Sequence, residues 1–197
     1  MDRAATAAPT RARPLGLEQR QEMIIGVVIP LLLEHGPAVT SKQIAEAAGV
    51  AEGTIFRAFG DKETLIAQSV SRYLDPLAVH TALRSIEPDL GLDETLRAII
   101  DLLRERFSGV IRMMSAMGQA SPQGRPGGTQ QFEAIIAEIL QPYSGELSVE
   151  PDAIAQFLRV IAFALAIPVF GETVPLSSDE IVALVTRGVA APKEGRS

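Results

Sequence analysis

Apolar side chains recur along this chain at intervals of three and four residues, the spacing that lines one face of an α-helix. Ile24, Val27, Val28, Leu31 and Leu32 make such a face in a first helix predicted from about Leu17 to His35. A longer helix, from about Leu92 to Gly118, carries Leu96, Ile99, Ile100, Leu103, Phe107, Val110, Met114 and Met117. Further helices are predicted over Gln130 to about Gln141, Pro151 to Gly171 and Ser177 to Gly188. The second of these has proline in its first turn, and the third opens on Ser177 and Glu180, a capping box. Alternating runs of β-branched and aromatic residues are absent, so the pattern predicts an all-α protein.

The segment Thr40 to Leu65, TSKQIAEAAGVAEGTIFRAFGDKETL, concentrates the local signals. Thr40 and Gln43 form a capping box, Ile44, Ala45 and Ala48 give a small apolar face, and Gly49 stops the helix. Ala51 to Phe59 makes a second short helix, which needs a partner to be stable. Two short helices around a glycine-containing turn have the form of a helix-turn-helix, whose second helix enters the DNA major groove. Asp61 caps a fourth helix from Lys62 to about Leu74, with a continuation toward His80 across a kink at Pro76. Pro30 interrupts the first helix, where its ring removes a hydrogen bond and crowds the carbonyl of Gly26. An outward-facing ring and a bend are expected there.

The spaced set Ile44, Ala45, Ala48, Gly49, Val50, Gly53, Thr54, Phe56, Phe59, Lys62 and Leu65 resembles the DNA-binding signature of TetR-family transcriptional regulators. Met23 to Gly36 is similar to that family's first helix and closing glycine, so the likeness spans roughly residues 20–66. It implies DNA contacts by Thr40, Glu52, Gly53, Thr54, Phe56, Arg57 and Lys62, with Ile55 and Phe59 left to core packing. Three positions depart from the family pattern. Ala51 replaces the usual capping serine, at a cost of about 1 kcal/mol. Phe56 lacks the hydroxyl of the common tyrosine, and Glu52 repels phosphate although its carboxylate suits the cytosine amino group.

Charge qualifies this reading. The net charge is −6, with residues 1–66 close to neutral and most of the excess acid lying beyond them. Local placement matters more, because salt screens beyond roughly 8–10 Å. Arg3, Arg11, Arg13, Arg20, Lys42, Arg57 and Lys62 are available to form a phosphate-facing surface. Residues 1–16 are rich in Ala, Thr, Pro and Arg and read as a disordered arm. It is either a solvated tail or an arm whose arginines reach DNA. No secretory leader is apparent, and the longest apolar run, Val160 to Phe170, falls short of the roughly 20 residues a spanning helix needs. A cytoplasmic location is expected. The absence of cysteine excludes disulfides, thiolate metal sites and cysteine nucleophiles.

Catalytic groups are sparse. His35 sits at a helix C-terminus, where it suits the dipole, and His80 reads either as a solvated turn residue or as a polar pocket wall. No metal, cofactor or enzymatic activity is expected. Met113, Met114, Met117 and Phe107 cluster on the long helix, either as plain core or as the wall of an adaptable apolar pocket. Leu103, Phe163, Phe170 and His80 are the further pocket candidates. The resemblance also implies a small apolar ligand and a homodimer built from the last two main helices. Leu158, Ala162, Leu165, Ala166, Ile181, Leu184 and Val185 are the interface candidates.

The expected organisation is an arm over residues 1–16, a three-helix helix-turn-helix domain over 17–66, a larger antiparallel helical ligand-binding and dimerisation domain over 67–191, and a tail over 192–197. Ser121 to Thr129 reads as a turn-rich linker within the larger part. The expected function is that of a ligand-responsive repressor bound as a homodimer to a pseudo-palindromic operator. The rival readings are a helical small-molecule carrier and a protein-interaction module that retains the helix-turn-helix.

Overall fold

The computed structural model describes residues 16–118, 129–168 and 176–187. The arginine arm, most of the Ser121 to Thr129 linker, Phe170, the expected helix ends at Gly171 and Gly188, and the 192–197 tail lie outside the described residues. Among the described residues there are nine α-helices and no strand: α1 (Leu17–His35), α2 (Ser41–Ala48), α3 (Glu52–Phe59), α4 (Lys62–Leu74), α5 (Leu77–Arg84), α6 (Leu92–Ala116), α7 (Thr129–Leu140), α8 (Pro151–Ala166) and α9 (Ser178–Arg187). The fold is all-α. None of the described helices is long and apolar enough to cross a membrane.

Two apolar cores organise the described residues. The first gathers α1 to α4 around Ile24, Val28, Leu32, Ile44, Ile55 and Leu65. The second packs α5 to α9 around Leu83, Leu96, Ile100, Leu103, Ile136 and Leu158. Helix α6 belongs to both: Leu96 to Leu103 lie in the second core, whereas Met113, fully buried, lies in the first. Met117 packs against that first core as well. At the same end, Gly36 closes α1 with φ 58 and ψ −149, and a Cβ there would sit under 3.0 Å from the Ala116 carbonyl oxygen. The missing side chain is what lets the end of α6 rest on the end of α1.

Pro30 lies on the exposed face of α1, as its expected outward ring requires, and the helix runs unbroken through it. The expected continuation of α4 toward His80 is instead a separate helix. Helix α4 stops at Leu74, and α5 starts after Pro76, with the Leu77 amide donating to Asp75 Oδ1 at 2.9 Å. Polar ties fix the remaining joints. Arg97 of α6 pairs with Asp179 of α9, and Ser178 donates to Asp101. Arg159 of α8 pairs with Glu133 of α7 at 2.6 Å in a mostly sheltered position. The Tyr143 hydroxyl donates to the Leu90 carbonyl and lies 3.1 Å from the buried Thr95 hydroxyl, closing the loop before α6 against the end of α7.

Candidate nucleic-acid interface

Helices α2 and α3 are each only eight residues long and hold their shape through their ends and their shared core. Thr40 accepts from the Gln43 amide at 3.2 Å, while Gln43 Oε1 accepts from the Thr40 amide at 2.8 Å, completing the reciprocal cap. Gly49 ends α2 in the left-handed region, φ 64 and ψ 31, which glycine enters without a side-chain penalty. Its amide and that of Val50 return to carbonyls of the preceding turn. Ala51 gives α3 no side-chain cap, and only its carbonyl takes part, accepting the Thr54 amide at 2.8 Å.

The pattern along α3 sorts its side chains. Ile55 and Phe59 are buried in the first core. Glu52, Gly53, Phe56 and Arg57 are exposed and Thr54 is half-buried. Phe56 leaves 44% of its surface to solvent, a large apolar ring held on an otherwise polar face. The Arg57 Nε donates to the Gly53 carbonyl at 3.2 Å, so the guanidinium lies back along the helix over the glycine. Gly53 has no other neighbour crowding it, which leaves its backbone open to a close partner.

The next helix contributes from the side. Asp61 accepts the Thr64 amide at 2.6 Å, and that bond holds its carboxyl below the usual carboxylate range. Lys62 Nζ donates to the Val39 carbonyl at 3.3 Å, which brings the start of α4 beside Thr40 at the start of α2. Thr40 and Lys62 are therefore neighbours, and only two residues separate the end of α3 from the start of α4. Gln21 of α1 donates to the Ala58 carbonyl at 2.7 Å and ties α1 to the last turn of α3.

The expected pocket residues are not brought together. Met113 and Met117 pack into or against the first core, so they cannot share a wall with Leu103, which is fully buried in the second. This corrects the single methionine-lined pocket: α6 is long enough that its two ends serve different cores. Met114 is buried, and Phe107 packs edge-on against Phe163 with centroids 5.4 Å apart. Phe163 itself is 38% exposed. The solvated reading of His80 is also corrected. It is buried against Phe132 of α7, centroids 4.7 Å apart, and its Nε2 has no hydrogen-bond partner among the described residues. Burial, aided by Arg84, holds its pKa below the ordinary histidine value. No alternation of sequence marks this burial, because α5 is a separate short helix that the sequence reading merged into α4.

The interface candidates also separate. Leu158, Ala162 and Ile181 are buried inside the second core of the same chain and cannot meet another copy. Leu165 and Val185 pack on that core in part, and Ala166 is half-buried. Leu184 is 40% exposed. Phe157 and Val160, not singled out in the sequence, are both about half exposed on α8. Helical phase relative to the buried Ile154, Leu158 and Ala162 is the signal that separates them.

Residues 29–68 match the family model described as bacterial regulatory proteins, tetR family. A search of curated proteins by sequence finds no match. Among solved structures, the fold is similar to a transcriptional regulator from Rhodococcus sp. Rha1, with a TM-score of 0.57 and 17% identity, covering 87% of this chain and 99% of that one. It is also similar to a TetR-family transcriptional regulator from Pectobacterium atrosepticum, with a TM-score of 0.56 and 19% identity, over 89% of this chain and 96% of that one. A TetR-like transcriptional regulator from Rhodococcus sp. RHA1 gives 0.53 and 18%, over 91% and 100%. At such identities the structures speak for the shared fold, and the matched segment covers α2, α3 and the exposed face just described. Residues 29–68 thus match a model of bacterial regulatory proteins of the tetR family, and the chain shares its fold with solved regulators of that kind.

Proposed function

We propose that the protein is a ligand-responsive repressor that binds a pseudo-palindromic operator as a homodimer. The carrying observation is the division of α3: Ile55 and Phe59 are buried while Glu52, Gly53, Phe56 and Arg57 face outward beside Thr54. In this reading Arg57 and Thr54 read base edges, Glu52 accepts from a cytosine amino group, and Phe56 packs on sugar or a thymine methyl. Thr40, Lys62 and the Gly53 backbone meet phosphates and fix the register. Residues 17–66 serve as reader and 67–191 as the effector and dimerisation part.

Dimerisation is supported by the apolar surface that α8 and α9 leave uncovered, with Phe157, Val160, Phe163 and Leu184 all more than a third exposed. A monomer gains nothing from such a patch, whereas a two-fold contact buries it and doubles the reader. Regulation then follows from differential binding: a small molecule that prefers a reader spacing unsuited to the operator must lower operator affinity.

A mobility-shift titration against DNA flanking the protein's own gene, at two salt concentrations, tests this. A specific complex at sub-micromolar protein, with competitor DNA present, is the expected result. Failure to form any specific complex at micromolar protein removes the operator-binding reading.

A further inference from the structure

The loop from Ser144 to Glu150, between the end of α7 and the start of α8, leaves a crevice of about 320 Å³ against the beginning of α6 and the end of α9. That volume lies within the roughly 300–1,000 Å³ of small-molecule sites. Its inner wall is apolar. Leu92, Leu147 and Val185 pack partly on the second core, and Ile154 is buried in it. Val149 and Phe157 also line it while leaving about half of their surface open, at 54% and 49%. Exposed apolar surface beside a concavity is costly in water and is relieved when an apolar guest fills it.

The polar groups of the crevice are of one kind. Glu146 is its single charged lining residue, and the carboxylate is exposed and makes no ion pair or side-chain hydrogen bond among the described residues. The Thr186 hydroxyl donates to the Val182 carbonyl at 3.0 Å, so its proton is spent inside α9 and only its oxygen is left to accept. Ser148 supplies the remaining side-chain hydroxyl. From Gln141 to Leu158 the chain carries Glu146, Glu150 and Asp152 and no basic residue. Arg187, the next residue of α9, is exposed and does not line the crevice. An apolar slot with acceptors and a free carboxylate at its mouth suits a guest with an apolar body and a charged N–H donor, because such a charge-assisted bond is stronger than a neutral one.

We infer that this crevice is a binding site for an amphipathic amine, the hydrocarbon body lying between Leu147, Ile154 and Val185 and the ammonium held by Glu146. The 25 residues of α6 span about 37 Å, so the site lies at the opposite end of that helix from the reader. It shares Phe157 with the apolar surface offered to a second copy and therefore opens at the edge of that contact. As an effector site it rests on the ligand-responsive reading and supplies the chemical class of the ligand. As a binding site it is built from one chain and holds without that reading.

The test uses the full chain and three probes of one chain length, each well below its micelle concentration: octylamine, octanol and octanoate. Near neutral pH the amine is protonated, as a lysine side chain is. Isothermal titration calorimetry is expected to show saturable binding of octylamine, with octanoate at least tenfold weaker and octanol between them. Glu146→Gln should bring octylamine down to the affinity of octanol and leave octanol unchanged. Ala153 lines the crevice from the exposed side of α8, so Ala153→Trp should fill the slot without entering the core and abolish binding of both. Absence of saturable octylamine binding overturns the inference, as does octanoate binding equally well or octylamine binding that survives Ala153→Trp. If Ala153→Trp does not fold, Glu146→Gln decides alone: an unchanged preference for the amine over octanol overturns the site. Operator affinity is measured with and without saturating octylamine. Amine binding that obeys both variants while operator affinity stays unmoved leaves the site standing and removes its effector role.

Discussion

Replacing Gly36 by alanine probes the seat of α6 on α1. Two costs add. The backbone at φ 58 and ψ −149 lies near the region that glycine alone uses, and forcing alanine there costs roughly 1–3 kcal/mol. The new methyl would also lie under 3.0 Å from the Ala116 carbonyl oxygen, a main-chain atom that cannot rotate away. Relief requires the end of α6 to move, which disturbs the fully buried Met113, and overpacking of this kind costs roughly 1–3 kcal/mol more. The expected loss is therefore about 4 kcal/mol, or roughly 8–16 °C in melting temperature for a chain of this size. Gly49→Ala is the internal control: its φ of 64 is also left-handed but nothing lies within 4 Å of the added carbon, so about 1 kcal/mol is expected. Urea unfolding followed by circular dichroism measures both. If the two variants lose stability to within about 0.5 kcal/mol of each other, the contact between α1 and α6 is not as described.

The remaining expectations concern titration, the interface and the reader. His80 is buried with a lowered pKa, so its unfolded form binds the proton more readily. Its contribution to stability is intact above pH 6.5 and falls below it by up to about 1.4 kcal/mol per pH unit until the folded histidine titrates. His80→Phe should flatten that part of the curve in urea titrations between pH 5 and pH 7, and an unaltered slope would count against the buried neutral ring. Phe157→Glu is expected to yield folded monomer by light scattering, whereas Leu158→Glu, aimed into the core, should unfold the chain; two folded dimers would move the interface elsewhere. Arg57→Ala should erase base preference by about 1–3 kcal/mol in competition assays, while Lys62→Ala should weaken all sequences about equally. Equal losses on specific and random DNA for Arg57→Ala would remove it from the base readers.

The sequence was most legible where local chemistry alone decides. Thr40 with Gln43, Asp61, Gly49 and the Ser177–Glu180 pair each satisfy their own helix ends, and the helices start and stop within a residue or two of them. The exposed face of α3 was legible for the same reason, since the phase of Ile55 and Phe59 leaves the other positions outside. What sequence spacing could not supply was which partner each apolar stripe meets. Met117 and Leu103 belong to one expected apolar stripe, yet they pack against different cores because neighbouring helices change along its length. Leu158 and Phe157 are adjacent and both apolar, and only the packing of α8 on α6 and α7 separates core from surface. Arg106 of α6, which donates to the Tyr73 and Leu74 carbonyls, carried no motif, because those acceptors are main-chain groups more than thirty residues away.

The way α6 fills the first core bears on how the reader could be reused. Helices α1 to α4 look like a portable cassette, but excising them would leave an open socket where Met113 sits and a bare Gly36 where Ala116 rests. Grafting this reader onto a foreign effector therefore demands a donor helix that ends in a similarly sized unbranched side chain at the matching register. Recombination of such halves is constrained by the last turns of one helix, and a chimera's success can be screened by what it offers to that socket before any DNA is added.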